Sequence, residues 1–252
     1  MKLLLDVGNT KLKWMCVDSG QLAATGEIVH RNLAPQEFLA ALADLPEGAA
    51  AVYMINVAGP DIDAALTAFF VDSYDVRPKR VVSESTHGPL KNGYRDVSQL
   101  GADRWVAMIG AIAEFEGALC VVDAGTAVTI DLIRSDGQHK GGLILPGLSL
   151  MRDSLYADTG DIEQFSEFPE SDALGELGYG TEAAVRLGSL AAIVGAIGRV
   201  MSLGDAKSAT LVLTGGDAMS LMPLLEGYAP VHVPSLLLNG LLSIADNDSD
   251  AL

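Results

Sequence analysis

Cysteine is scarce in this chain: Cys16 and Cys120 are the only two. That excludes a disulfide framework and a cysteine-based zinc site, and it fits a reducing compartment, so the chain is expected in the cytoplasm. Histidine is sparse as well. His30, His87, His139 and His232 are scattered without ligand spacing, which argues against a histidine zinc centre. Basic residues are few, 16 Lys and Arg against 33 Asp and Glu, for a formal net charge of −17. A chain this acidic lacks the basic face that replaces counterions on nucleic acid, so no nucleic-acid partner is expected. A small anionic ligand stays compatible, because a few backbone amides with one or two cations make a local site. Long apolar runs are missing too. No window offers about 18 apolar residues free of charge; the longest candidate, 105–122, is broken by Glu114 and Glu116, and no membrane span is expected. The N-terminus begins like a signal peptide at Leu3, Leu4 and Leu5 but meets Asp6, well short of the roughly 7–15 apolar residues that a signal needs.

What the chain does have is core-forming material, 49% hydrophobic against 19% charged over 252 residues. That composition excludes intrinsic disorder and fits one large or two modest domains. Residues 2–7 read as a buried strand ending at Gly8, 11–17 as a second and 21–28 as a third, with a further strand at 50–57. Helical spacing covers 35–43 and 61–71, and a loop at 83–93 leads to a helix over about 99–115. At 118 the pattern restarts with strand, turn, strand, turn and strand. Helices follow near 147–156 and 180–203, then a strand at 210–213, two more helical stretches and an acidic tail expected to fray.

Laying LLLDVGNTKLKWMCVD (3–18) over CVVDAGTAVTIDLIRSD (120–136) brings Asp6 over Asp123 and Gly8 over Gly125. Strand–Asp–Gly–strand is a common pattern, so coincidence is the alternative, but three successive strands and two turns correspond. An internal repeat at half the chain length predicts two α/β halves, 1–116 and 117–252.

The segment from Asp6 to Lys11 is a strand-to-turn transition built of small residues and hydroxyls. Gly8 permits close backbone approach, and turn amides with Asn9 and Thr10 suit phosphate oxygens. Lys11 and Lys13 alternate along a strand and share a face, which adds positive charge. Asp6 at a strand end suits a magnesium ion held through water. Read alone, the segment is equally an ordinary hairpin turn; it is neither a Walker loop nor a dinucleotide fingerprint. Asp123-Ala124-Gly125-Thr126 is its partner, and Thr214-Gly215-Gly216-Asp217 follows a strand and opens a helix, where a nucleoside has bare backbone to lie against. Gly101 starts a helix and puts Asp103 and Arg104 in its first turn, which suits an anion. Asp103 then accepts a hydroxyl proton and Arg104 meets a carboxylate or phosphoryl charge; the alternative is a helix N-terminal acid beside a surface cation. Trp14 and Trp105 read as core or domain-contact residues rather than ligand stackers. Cys16 and Cys120 read as inert residues buried on corresponding strands.

Three such turns in this order resemble the acetate and sugar kinase, heat-shock chaperone and actin superfamily. Within it the chain resembles the type III pantothenate kinases over nearly its whole length. The matching motifs are DVGNT with LKW after it, GADRW (101–105), DAGTA, GGLILPG (141–147) and TGG, and GADR is the specific signal. The resemblance implies an actin-like ATPase fold: two duplicated ribonuclease-H-like domains with a nucleotide cleft between them. It implies ATP-dependent phosphorylation of pantothenate, the first step of coenzyme A biosynthesis, by a homodimer. The alternatives are a kinase of the same superfamily with another substrate and a non-catalytic regulator; the second would expect damaged phosphate turns, and Asp6 and Asp123 are intact. By resemblance, Asp6, Val7, Gly8, Asn9, Thr10, Lys11, Leu12 and Lys13 bind ATP and its magnesium. Thr126 touches the transferring phosphate, Gly215 and Gly216 hold the adenosine, and Asp123 helps bind a monovalent cation, potassium or ammonium. Tyr94, Gly101, Ala102, Asp103, Arg104 and Thr181 line the pantothenate pocket, with Asp103 as base; Thr159 competes with Thr181 for its place. Apolar residues on the helices at 99–115 and 180–203, among them Ile109 and Ile193, are expected at the homodimer interface.

Overall fold

Leu3, Leu4 and Leu5 are all fully buried, because β1 (Lys2–Val7) runs down the middle of a sheet covered on both faces. The computed structural model describes residues 1–31, 33–158 and 177–250. After β1 come β2 (Lys11–Asp18), β3 (Gln21–Val29), α1 (Pro35–Ala41), β4 (Ala51–Asn56), α2 (Pro60–Tyr74) and β5 (Lys79–Arg80). Two short strands, β6 (Thr86–His87) and β7 (Leu90–Lys91), precede α3 (Ala102–Glu114). The pattern resumes with β8 (Leu119–Ala124), β9 (Ala127–Ile133), β10 (His139–Pro146), α4 (Leu148–Asp158) and α5 (Thr181–Met201). Then follow β11 (Thr210–Thr214), α6 (Ala218–Leu221), β12 (Val231–His232) and α7 (Leu236–Asp250).

The first sheet has the order β3-β2-β1-β4-β5 and the second β10-β9-β8-β11-β12. In each, the central strand pairs antiparallel with the strand after it and parallel with the strand that follows a helical crossover. The topology is duplicated, as the repeat predicted, and it is the ribonuclease-H-like one that the resemblance implied. The two hairpins differ by one residue, however. Asp6 lies across from Lys13 whereas Asp123 lies across from Thr129, because three residues (8–10) separate β1 from β2 and only two (125–126) separate β8 from β9.

Two compact units contain these sheets. The first comprises Met1–His87, Tyr94–Ala113 and Ser235–Leu252, the second Gly88–Gly93 and Glu114–Pro234. The core of the first gathers Leu3, Leu5, Val7, Phe38, Val52, Leu66 and Phe70. There α3 and α7 cross at glycines: a Cβ on Gly110 would lie 2.2 Å from the Leu236 carbonyl oxygen, and one on Gly240 2.1 Å from that of Val106. The second core packs Leu190, Ile193, Ile197 and Val200 of α5 against Val122, Ile130 and Leu213 of the sheet.

Several expectations change here. Tail residues 246–250 belong to α7, where Lys2 Nζ donates to Asp246 and Lys79 donates to Asp248; 251–252 lie outside the described residues. Cys16 sits on β2 and Cys120 on β8, which are not corresponding strands, although both are buried and burial pushes the Cys120 thiol up to about 12. Among the described residues α5 is, by length and composition alone, apolar enough to cross a membrane; a charge-free window missed it because Arg186 and Arg199 interrupt the run. Its inner face packs as a core helix does. Ile109 and Ile193 are each 0% exposed inside the single chain, so they belong to cores, and a charge there would disrupt the fold rather than report on assembly.

Candidate functional site

In the first unit, β1 carries Asp6 and Val7 up to a turn that ends where Lys11 starts β2. The Gly8 N–H closes it by donating to the Lys11 carbonyl at 3.0 Å. Val7 and Leu12 are fully buried in the core, so only their backbones can serve a ligand; Asp6, Asn9, Thr10, Lys11 and Lys13 are at least partly accessible. Lys11 Nζ is ion-paired with Glu27 Oε2 at 2.9 Å, so the lysine face brings less net positive charge than the sequence suggested. The turn is anchored from the far end of β3. The Thr10 carbonyl accepts from the amides of His30 and Arg31, both at 3.0 Å, and the Gly8 carbonyl accepts from His30 Nε2 at 2.8 Å. The end of β4 meets the same place, with the Val57 N–H donating to the Val7 carbonyl at 3.0 Å. Buried Asn56 braces the loop beyond, donating to the Gly59 carbonyl and accepting from the Ala58 N–H. Trp14 lies against Gly26, where a Cβ would meet the indole at 2.6 Å, so it is a packing residue of the sheet.

The same unit holds the GADR segment. Asp96 accepts from Ser98 in the turn before it, and Ser83 Oγ donates to the Leu100 carbonyl at 2.8 Å. The helix begins when the Trp105 N–H reaches the Gly101 carbonyl at 3.0 Å. Asp103 Oδ1 folds back to accept from the Arg104 N–H at 2.9 Å, and a Cβ on Gly101 would come within 2.4 Å of that oxygen. Glycine at 101 therefore leaves room for the carboxylate. Arg104 is only 4% exposed; its Nη1 donates to the Tyr94 hydroxyl at 2.8 Å, with the guanidinium carbon 5.6 Å from the ring centroid. It is not a surface cation. A buried guanidinium held this way is a fixed positive charge suited to a carboxylate or phosphoryl oxygen. Trp105 is 1% exposed and belongs to the core.

In the second unit three glycine turns converge. The Gly147 N–H donates to the Thr126 carbonyl at 2.9 Å, and a Cβ on Gly147 would meet the Gly125 carbonyl oxygen at 2.1 Å. Gly215, at φ +92°, lies so close to β8 that a Cβ would sit 2.3 Å from the Ala124 oxygen and 2.5 Å from Asp123 Oδ1. The Asp217 N–H donates to the same Ala124 carbonyl at 2.9 Å, and burial raises the Asp217 carboxyl. The turn at Gly215 thus lies against the end of β8 beside Asp123, and the Gly147 turn lies against Gly125 and Thr126. Ala102 is half-buried at the start of α3, and Thr181 opens α5 exposed to solvent; Thr159 lies outside the described residues. His30 and Asn56 carried no motif signal, because their contacts are with backbone that the sequence does not place beside them. Among the described residues, no three of His, Cys, Asp and Glu gather as a metal cage. A carboxylate at a strand end, such as Asp6, fits a magnesium ion that keeps its waters better than a dehydrated site.

A family model described as type III pantothenate kinase matches residues 2–202. The chain is 32% identical over 257 residues to the type III pantothenate kinase of Nitrosococcus oceani, covering 99% of this chain and 95% of that one. Among solved structures, a Campylobacter jejuni protein assigned to the Baf family of transcriptional activators superposes with TM-score 0.67 at 21% identity, covering 98% of this chain and 99% of that one. A Sinorhizobium meliloti protein assigned as a 2-dehydro-3-deoxygalactonokinase does so with TM-score 0.62 at 15% identity, covering 97% and 98%. The fold is the α/β fold of the actin-like ATPases and sugar kinases.

Proposed function

We propose that this chain, which belongs to the type III pantothenate kinase family, transfers the γ-phosphoryl group of ATP to the primary hydroxyl of pantothenate, opening coenzyme A biosynthesis. The observation that carries this reading is the family match over 2–202, which takes in the first phosphate turn, GADR and the second phosphate turn together. In this reading Asp103 accepts the hydroxyl proton as the oxygen attacks phosphorus and the bond to the leaving ADP oxygen breaks. Kinases need such a residue chiefly to orient the nucleophile. Arg104, held by Tyr94, meets the pantothenate carboxylate or the developing phosphoryl charge, with Gly101, Ala102 and Thr181 completing the pocket. The turn from Asp6 to Lys13 takes the ATP phosphates, Thr126 the transferring phosphate and the Gly215-Gly216 turn the adenosine. Asp6 would hold magnesium through water, and the ion would neutralise phosphate charge there. Asp123 would contribute to a potassium or ammonium site. The duplicated halves 1–116 and 117–252, a cytoplasmic location and a homodimer belong to the same reading.

The test couples ADP release to pantothenate addition. ADP is expected only with both substrates present, with activity falling steeply in sodium-only buffer. Asp123→Ala should respond poorly to added potassium. Equal rates in sodium and potassium would remove the cation site.

The homodimer has its own test. The solvent side of α5 carries Ala184, Gly188, Ala191 and Gly195, small residues that allow close approach of a second helix. A charge on a two-fold interface enters twice, so Ala191→Glu should give monomers of about half the wild-type mass that bind pantothenate poorly. A fully active wild-type monomer in light scattering at micromolar concentration would end the dimer proposal and leave the kinase assignment standing.

A further inference from the structure

We infer that His30, which lies outside the five motifs matched in this chain, is a positioning residue of the first phosphate turn: its side chain fixes the Gly8–Asn9 peptide so that the Asn9 amide faces the nucleotide phosphate. The inference rests on the reading of this turn as a phosphate site.

The ring is 8% exposed, tilted against Phe38 with centroids 5.2 Å apart, and its Nε2 lies 2.8 Å from the Gly8 carbonyl oxygen. A carbonyl oxygen only accepts, so Nε2 carries the proton. The peptide is trans and planar. The carbonyl of Gly8 and the N–H of Asn9 belong to one plane and point in opposite directions. Holding the oxygen on the His30 side therefore aims the Asn9 N–H away from it.

Glycine makes that restraint necessary. The torsions around Gly8 turn at little steric cost, and a rotated peptide would offer a carbonyl oxygen where an anion needs a donor. Two other peptides of the turn need no such help. The Gly8 N–H is tied to the Lys11 carbonyl, and the Thr10 carbonyl is held by two backbone amides. The Gly8–Asn9 peptide is anchored through a side chain, so one substitution can release it without disturbing the strands.

The experiment titrates a non-hydrolysable ATP analogue with magnesium into the full chain and measures the KM values for ATP and pantothenate. His30→Phe keeps an aromatic ring against Phe38 but removes the donor; His30→Leu removes it with a smaller group, in case the first variant does not fold. His30→Gln keeps an N–H at similar reach. Phe38→Leu loosens the same packing and leaves the bond. Loss of one such bond is expected to weaken nucleotide binding about tenfold in the Phe and Leu variants, with pantothenate KM within about twofold of wild type. His30→Gln should restore most of the affinity, and Phe38→Leu should lower Tm without changing it. Nucleotide affinity within about twofold of wild type in the donor-less variants, with only Tm reduced, would make His30 a packing residue and overturn the inference. A wild-type protein that binds the analogue but leaves pantothenate untouched would count against the substrate reading alone, and the affinity comparison would still decide the role of His30.

Discussion

Replacing Asp103 with Asn is expected to leave the fold and ATP binding intact and to lower kcat by about 10²–10⁴, the usual size of a lost acid–base partner. The local geometry makes the variant a clean test. Asp103 Oδ1 accepts from the Arg104 N–H in the first turn of α3, and an amide oxygen can accept the same bond, so the helix start survives. What disappears is the ability to take a proton and the negative charge that, in the proposed mechanism, orients the hydroxyl. Asp103→Ala separates the two roles, since it also removes the bond at the helix start, a change that costs about 1 kcal/mol at helix caps. Coupled assays give kcat, and thermal melting shows whether the helix is intact. Near-normal turnover in Asp103→Asn together with a lower Tm in Asp103→Ala would leave Asp103 as a helix-start residue and return the search for a base to the other carboxylates.

Gly215→Ala should be damaging and its neighbour Gly216→Ala should not, for stability. At 215 a side chain would adopt φ near +92° and press against the Ala124 carbonyl and the Asp123 carboxylate. Backbone strain and overpacking of this kind cost about 1–3 kcal/mol each, a fall in Tm of several degrees for a chain of this size. The shift also displaces Asp123, so ATP affinity should fall with stability. At 216 an added Cβ meets nothing within 4 Å, so Tm should stay at the wild-type value. If adenosine lies against this turn, the methyl group fills its space, and ATP binding should still weaken roughly tenfold or more, the effect of steric intrusion at about 1–3 kcal/mol. Unchanged ATP affinity in a stable Gly216→Ala protein would move the nucleoside elsewhere.

The sequence by itself determined the eight longer strands, the duplication and the order of the three turns, and it missed the two-residue strands β5, β6, β7 and β12. Those features are local: an apolar run such as LLLDVG or LCVVDAG reads as a central strand because both of its faces must be apolar, and glycine after it marks the turn. GADR was legible locally as a helix start, a glycine followed by charges, and only the family resemblance marked it as a site. Only the tertiary structure decided which distant groups complete these turns. Nothing near His30 marks it as the holder of the Gly8 carbonyl, since that bond depends on how the end of β3 comes back beside the start of β2. Nothing in Arg104 distinguishes a surface cation from one buried against Tyr94. The end of the last helix reads as an acidic, fraying tail, because spacing is the same wherever a helix docks; its anchors, Lys2 on β1 and Lys79 on β5, lie far away in the sequence. The interface expectation for Ile109 and Ile193 failed likewise, since spacing shows that a helix face is apolar and not what covers it. Periodicity carries local conformation, and the partner that satisfies each face, carbonyl or buried charge is fixed by packing over long sequence separations.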